Sequence, residues 1–263
     1  MDTPRIKIYT RSMNLALYNR AMFFLDLPYP KVRLTDTTAD GYLYQLIQDE
    51  EADIIINIDE DAFVFDLERL KSLLNYVIEN DYVNCGMPDG GVVHLRRLNP
   101  LVTNPYFNIL NVKEIRKKFS LKEIQEFPFH KDCYMDIFPK NLLTGGYEFI
   151  CYEPYYLFFI WMSQNFKTLY INAENHPDGV STTLCDQNNE PFLIHTWYSR
   201  MYNNDRIHTK RINEVVRECE KTYKHKYKPS LKEIIDSNTQ FYWNFSKRKL
   251  IILKKKIFAI IKS

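Results

Sequence analysis

Ile54-Ile55-Ile56-Asn57-Ile58, followed at once by Asp59-Glu60-Asp61, constrains the fold of this chain more tightly than any other segment. A short apolar run rich in isoleucine reads as a buried strand, and its end delivers two carboxylates to one edge of a sheet. Side chains two apart on a strand point the same way, so Asp59 and Asp61 are placed to grip one cation while Glu60 faces elsewhere. Hard divalent ions such as Mg²⁺ and Mn²⁺ favour carboxylate oxygens and commonly complete their shell with substrate phosphates. The pattern therefore points to a metal–diphosphate site. A lone Asp-x-Asp after a core strand is also the sequence of a solvated acidic turn, so the flanking chain has to decide.

The flanks supply strands and helices in alternation. Residues 6–9 alternate like a first strand, and 13–25 read as a helix. A second strand is expected over 31–34, closed by the polar cluster Thr35-Asp36-Thr37-Thr38, and a short helix over 42–49 leads to the strand at 53–58. Asp66 is a good N-cap for a helix whose apolar positions are Leu67, Leu70, Leu73, Leu74, Val77 and Ile78. Residues 82–87 restore strand character, 106–112 are apolar enough for another strand, and 113–119 form a charged helical stretch. Residues 120–141 read as an irregular, acceptor-side loop; 154–166 read as a buried helix with Pro154 at its first position. Such alternation predicts an α/β fold with a mixed, mostly parallel sheet flanked by helices. Ligands in these sheets lie beyond the carboxyl ends of the strands, where Asp59 and Asp61 fall.

With 263 residues the chain suits one large α/β domain with a tail. Its five cysteines form no Cys-x-x-Cys pair and are odd in number, which favours reduced thiols in a cytoplasmic protein over a disulfide scaffold or a zinc site. The first residues lack the apolar stretch of a signal peptide, and no segment is long and apolar enough to span a bilayer. Residues 246–263 carry seven Lys/Arg and no acid; the total is +2, so the remaining body is at −5, which excludes a nucleic-acid binder. In that tail Leu250, Leu253, Ile257, Ile260 and Ile261 share one helical face. A basic amphipathic helix of this kind suits an anionic membrane surface; packing on the domain, or a dimer contact, would use the same pattern.

Asp59-Glu60-Asp61 after two βα units resembles the nucleotide-sugar glycosyltransferases of the GT-A fold. The stretch 105–116 is similar to the Tyr-Phe-Asn strand entering a Lys/Arg-rich helix in glycogenin-like members, and 192–198 occupies the late position where such enzymes bring a His to the same metal. The chain lacks the Gly and Lys that follow that His in glycogenin-like enzymes. The resemblance implies a GT-A-like catalytic domain over 1–205, with a nucleotide-sugar half to about 115 and an acceptor half over 116–205, then a helical extension over 206–263. It implies Mn²⁺ or Mg²⁺ on Asp59, Asp61 and His195, with Asp59 and Glu60 also at the donor. Tyr9, Thr10, Arg11 and Asp36 would contact the base, ribose or phosphate. Glu153 would be the base that deprotonates the acceptor hydroxyl, with Asp89, Asp132 and Asp136 toward the sugar and acceptor. The donor would be a nucleoside-diphosphate sugar, with UDP foremost, and the acceptor a glycan or glycolipid.

Three alternatives share parts of this pattern. A haloacid-dehalogenase-type phosphatase also ends an apolar strand in Asp-x-Asp, but Phe63 stands where a Thr or Val is expected and no later Gly-Asp-x-x-x-Asp follows. A sugar nucleotidyltransferase usually has a Gly-rich loop after its first strand, whereas Thr10-Arg11-Ser12-Met13-Asn14 contains no Gly. A non-catalytic carbohydrate-binding protein would give Asp-x-Asp with a late His no evident task.

Overall fold

Alternation along one strand explains how the layers assemble. In the computed structural model, which describes residues 3–35, 37–126, 137–151 and 153–235 together with Trp243 and Ser246, the strand over Ile54–Ile58 is buried at every position. Ile54, Ile56 and Ile58 face one hydrophobic cluster and Ile55 the other, as a two-residue period demands.

In chain order the elements are β1 (Ile6–Arg11), α1 (Leu15–Phe24), β2 (Lys31–Leu34), α2 (Gly41–Gln48), β3 (Ile54–Ile58), β4 (Ala62–Val64) and α3 (Leu67–Glu79). Then follow β5 (Asn84–Gly86), β6 (Phe107–Leu110), α4 (Val112–Lys118), α5 (Leu121–Gln125), α6 (Tyr156–Asn165) and β7 (Thr168–Tyr170). The chain continues through β8 (Ala173–Asn175), β9 (Thr182–Cys185), β10 (Pro191–His195) and α7 (Arg206–Tyr223). Among the described residues the strands form a six-stranded sheet, ordered β2-β1-β3-β6-β5-β7, and a four-stranded sheet, ordered β4-β10-β9-β8. In the larger sheet β6 alone runs against its neighbours, so the expected mixed, mostly parallel α/β fold is present.

The two faces of the large sheet differ. α2, α4 and α6 cover the side of Ile55, with Tyr42, Leu46, Ile115 and the wholly buried Trp161 in its core. The other side receives α3 and the inner face of the small sheet, through Val64, Leu184 and Leu193. Phe63 and Ile194, paired across β4 and β10, point outward instead, against Leu17 and Phe24 of α1 and Val215 and Val216 of α7. The small sheet is thus a middle layer, and α7 is packed into the domain.

One local expectation holds and two are corrected. Asp66 caps α3 by accepting from the Arg69 amide, as expected; the structure adds a cap that the sequence reading did not name, Asn14 on α1 through Ala16 and Leu17. Pro154 is not at the first helical position: residues 153–155 form a turn, and α6 begins at Tyr156. The stretch 120–141 is not wholly irregular, because Ser120 caps the short α5 through the Glu123 amide. Among the described residues no helix is long and apolar enough to cross a membrane.

Candidate functional site

Asp59, Glu60 and Asp61 form a tight turn between β3 and β4, closed by the Ala62 amide donating to the Asp59 carbonyl at 3.2 Å. The two aspartates converge because the chain turns there, not because both stand on one strand. Antiparallel pairing of β4 with β10 sets His195 opposite Ala62, and so brings a residue 134 positions away to Asp61, Nε2 to Oδ1 at 3.2 Å. Carboxylate oxygens of Asp59 and Asp61 and a ring nitrogen of His195 lie within 4.8 Å of one another. Two hard oxygens and one imidazole nitrogen are a donor set that Mn²⁺ and Mg²⁺ accept.

The turn is held from several sides. The Thr196 amide donates to the Asp61 carbonyl at 3.0 Å, and the Thr196 hydroxyl to the Asp61 carboxylate at 3.3 Å. The Asp59 amide donates to the Tyr106 carbonyl at 2.9 Å. The Tyr106 ring stacks on His195 with centroids 4.1 Å apart, and Trp197 meets the same imidazole edge-on at 4.2 Å. Nδ1 of His195 is buried with no partner among the described residues, so the imidazole is oriented by its Nε2 contact with Asp61 and by packing against Tyr106 and Trp197.

The two carboxyls differ electrostatically. Burial, with Asp61 beside it, pushes Asp59 up to about 6 although Arg11 and Arg200 pull the other way. Burial also acts to raise Asp61, but His195 and Thr196 overcome it and hold this carboxyl below its usual range. A cation between them would favour the ionised form of both carboxyls.

These groups open into a cleft of about 240 Å³, also lined by Arg11, Arg96, Asn104, Glu153, Trp197 and Arg200. Of the residues singled out in the sequence, Arg11, Asp59, Asp61, Glu153 and His195 therefore meet in one place. Arg11 rises from the end of β1 with its guanidinium over the Tyr42 ring, 5.2 Å from the centroid. Glu153 sits in the turn before α6, its carbonyl accepting from the Tyr156 amide.

Other sequence candidates have different surroundings. Glu60 points away from the cleft: its carboxylate accepts from the Ser12 hydroxyl at 2.8 Å and the Asn14 amide at 2.6 Å, pinning the β1–α1 loop. Burial pushes it up to about 7 despite those donors. The Tyr9 hydroxyl donates to Asp49 at 2.6 Å, and Thr10 is wholly buried. Asp89 is also wholly buried and accepts from both Nε and Nη2 of Arg96 at 2.6 Å, from the Tyr156 hydroxyl at 2.6 Å and from the Asn104 amide group. Asp36, Asp132 and Asp136, and the tail from residue 247 onward, lie outside the described residues.

Arg96, Arg200 and Trp197 are cleft residues that sequence reasoning missed. Arg96 stands on a loop that folds back because Gly90 pairs with Arg97 and a Cβ on Gly90 would come within 2.8 Å of the Leu98 backbone. Trp197 and Tyr198 have φ of 56° and 59°, consecutive left-handed conformations that cost bulky residues about 1–3 kcal/mol each. Arg211 donates to the Trp197 carbonyl at 3.1 Å, and the indole Nε1 donates to Thr182 at 2.9 Å, so neighbouring elements impose the strained turn.

No protein-family model and no curated protein sequence matches this chain. Among solved structures it is similar to a protein from STIV at 11% identity, over 72% of this chain and 93% of that one, with a TM-score of 0.38. It is similar to the mannosyltransferase PcManGT from Pyrobaculum calidifontis in complex with GDP-Man and Mn²⁺ at 12% identity and a TM-score of 0.34, over 59% of this chain and 56% of that one. A glycosyltransferase involved in the glycosylation of the major capsid of PBCV-1 is similar at 14% identity and a TM-score of 0.30, over 58% of this chain and 82% of that one.

Proposed function

We propose that the protein is a metal-dependent glycosyltransferase that moves a sugar from a nucleoside-diphosphate sugar, with UDP the first candidate, to a glycan or glycolipid acceptor. The observation that carries this is the convergence of Asp59, Asp61 and His195 in a cleft that also holds Arg11 and Arg200. Glycosyl transfer leaves negative charge on the departing diphosphate, and the site gathers groups that answer it. Asp59, Asp61 and His195 would hold Mn²⁺ or Mg²⁺, which supplies Lewis-acid neutralisation of that charge. Arg11 and Arg200, both close enough to act on Asp59, are placed to take phosphate oxygens through charge-assisted hydrogen bonds. Glu153, in the same cleft, serves as the base for the acceptor hydroxyl.

In this proposal residues 1–205 remain the catalytic domain and 206–263 its extension. Asp36 keeps its assignment to the nucleotide, and Asp132 and Asp136 theirs to the acceptor, while the buried Tyr9 and Thr10 support the strand that presents Arg11 to it. Glu60 and Asp89 act by shaping the loops around the donor, and the basic tail serves a cytoplasmic protein peripheral to an anionic membrane. The test is incubation with Mn²⁺ and a panel of UDP- and GDP-sugars. Release of the nucleoside diphosphate, abolished by a chelator, is the expected result. Hydrolysis of simple phosphate esters without turnover of any sugar nucleotide would transfer the site to the phosphatase class.

A further inference from the structure

Arg96 differs from the other cleft arginines in how its charge is used. Arg11 and Arg200 pull on Asp59, at the cation end of the cleft. Arg96 faces Asp89, Tyr155 and Trp197 instead: Nε and Nη2 reach the carboxylate at 2.6 Å, Nη2 lies 3.3 Å from the Tyr155 hydroxyl, and the guanidinium sits 5.7 Å from the Trp197 ring centroid. Asp89 is wholly buried, and only 18% of the Arg96 side chain is exposed.

The consequences are geometric and electrostatic. A guanidinium carries its N–H donors in a rigid fork. Asp89 and Tyr155 occupy Nε and Nη2, so Nη1 keeps its N–H groups without a partner among the described residues, on a side chain that lines the cleft. Three contacts fix the fork, so little rotamer freedom remains to be lost on binding. The Asp89 carboxylate cancels the Arg96 charge, and Glu153 adds a negative charge to the same cleft. This end offers oriented donors without net positive charge, a poor setting for phosphate or a sugar carboxylate and a good one for neutral hydroxyls.

Building on the glycosyltransferase proposal, we infer that Arg96, locked by Asp89, Tyr155 and Trp197, is the specificity residue that reads hydroxyl groups of an uncharged donor sugar. Donors bearing a uronate in place of the neutral sugar are disfavoured by Glu153 and by an Arg96 charge already paired with Asp89. A donor lacking the hydroxyl that Nη1 reads leaves those N–H groups unpaired, and such sites discriminate strongly against the deleted analogue.

The experiment is calorimetry on the full chain with Mn²⁺, using UDP, UDP-glucose, UDP-galactose, UDP-glucuronate and single-deoxy UDP-hexoses, with GDP and GDP-mannose as the guanosine counterpart. For the native protein, a neutral donor should bind at least about tenfold more tightly than the uronate, and one deoxy position should cost at least about tenfold. Arg96→Lys keeps a charge opposite Asp89 but loses the fork. It should weaken the neutral donor by about tenfold or more while leaving the bare nucleotide within about twofold. Equal binding of neutral and uronate donors, or equal weakening of donor and bare nucleotide by Arg96→Lys, overturns the role of Arg96 and leaves the transferase proposal standing. Failure of the native protein to take up any nucleotide overturns both.

Discussion

The Asp89–Arg96 pair yields a quantitative test of how the cleft is supported. Asp89 is 0% exposed in its side chain and accepts from Arg96 twice, from Tyr156 and from Asn104. Asp89→Asn leaves a largely buried guanidinium with no counter-charge, and breaking such a pair by removing one partner costs about 3–5 kcal/mol. Arg96→Met strands the carboxylate with two neutral donors and should cost a similar amount, about 3–5 kcal/mol. The double variant holds no charge at this point and keeps a polar acceptor for Tyr156 and Asn104. Its loss should fall below the sum of the singles by about 2–3 kcal/mol, toward the upper end of couplings between contacting residues. The assay is urea unfolding of all four proteins, comparing midpoints at constant slope. A cycle that closes within about 0.5 kcal/mol, or single losses below about 1 kcal/mol, would refute the pairing as the support of the cleft.

Three further predictions follow from other parts of the fold. Glu60→Ala removes the acceptor of the Asn14 amide and the Ser12 hydroxyl, and should cost about 1–3 kcal/mol in the same unfolding assay; an unchanged midpoint would contradict its role as the pin of the β1–α1 loop. Trp161→Ala empties a wholly buried site under α6 and should cost about 3–5 kcal/mol, with a loss below about 1 kcal/mol counting against the packing described. Burial acts to raise Asp178, but Ser181, two backbone amides and Arg211 overcome it and hold the carboxyl well below its usual range. The unfolded chain therefore binds its proton first as pH falls, so the stability Asp178 contributes is complete above the ordinary carboxyl value of about 4 and is lost below it. Thermal unfolding from about pH 6 to pH 3 should fall more steeply for the native protein than for Asp178→Asn; parallel curves would contradict this.

Much of the architecture was legible because its signals are local. The βα alternation up to Glu79, the cap at Asp66 and the strand before Asp59 each follow from patterns within a dozen residues. The small sheet was not legible, since β4, β8 and β9 are three or four residues long and gain their stability from pairing across the chain rather than from their own periodicity. The convergence of Asp59 and Asp61 was expected, but strand alternation was the wrong cause; a turn and the β4–β10 register produce it. Asp89 stands in a Gly-rich turn and looks exposed in sequence, and nothing local reveals that Arg96, Asn104 and Tyr156 close over it. Arg96, Trp197 and Arg200 reach the cleft through loop geometry, including two left-handed aromatic residues that no residue preference announces.

Calorimetric titration of UDP and GDP into the protein, with Mn²⁺ and with a chelator, tests the central claim most directly. Uptake of one nucleotide should require the metal, and Asp61→Asn and His195→Ala should each weaken it by at least about tenfold, as losses at metal sites do. Equal uptake in the presence of the chelator, or unchanged affinity in both variants, would contradict a cation held by Asp59, Asp61 and His195.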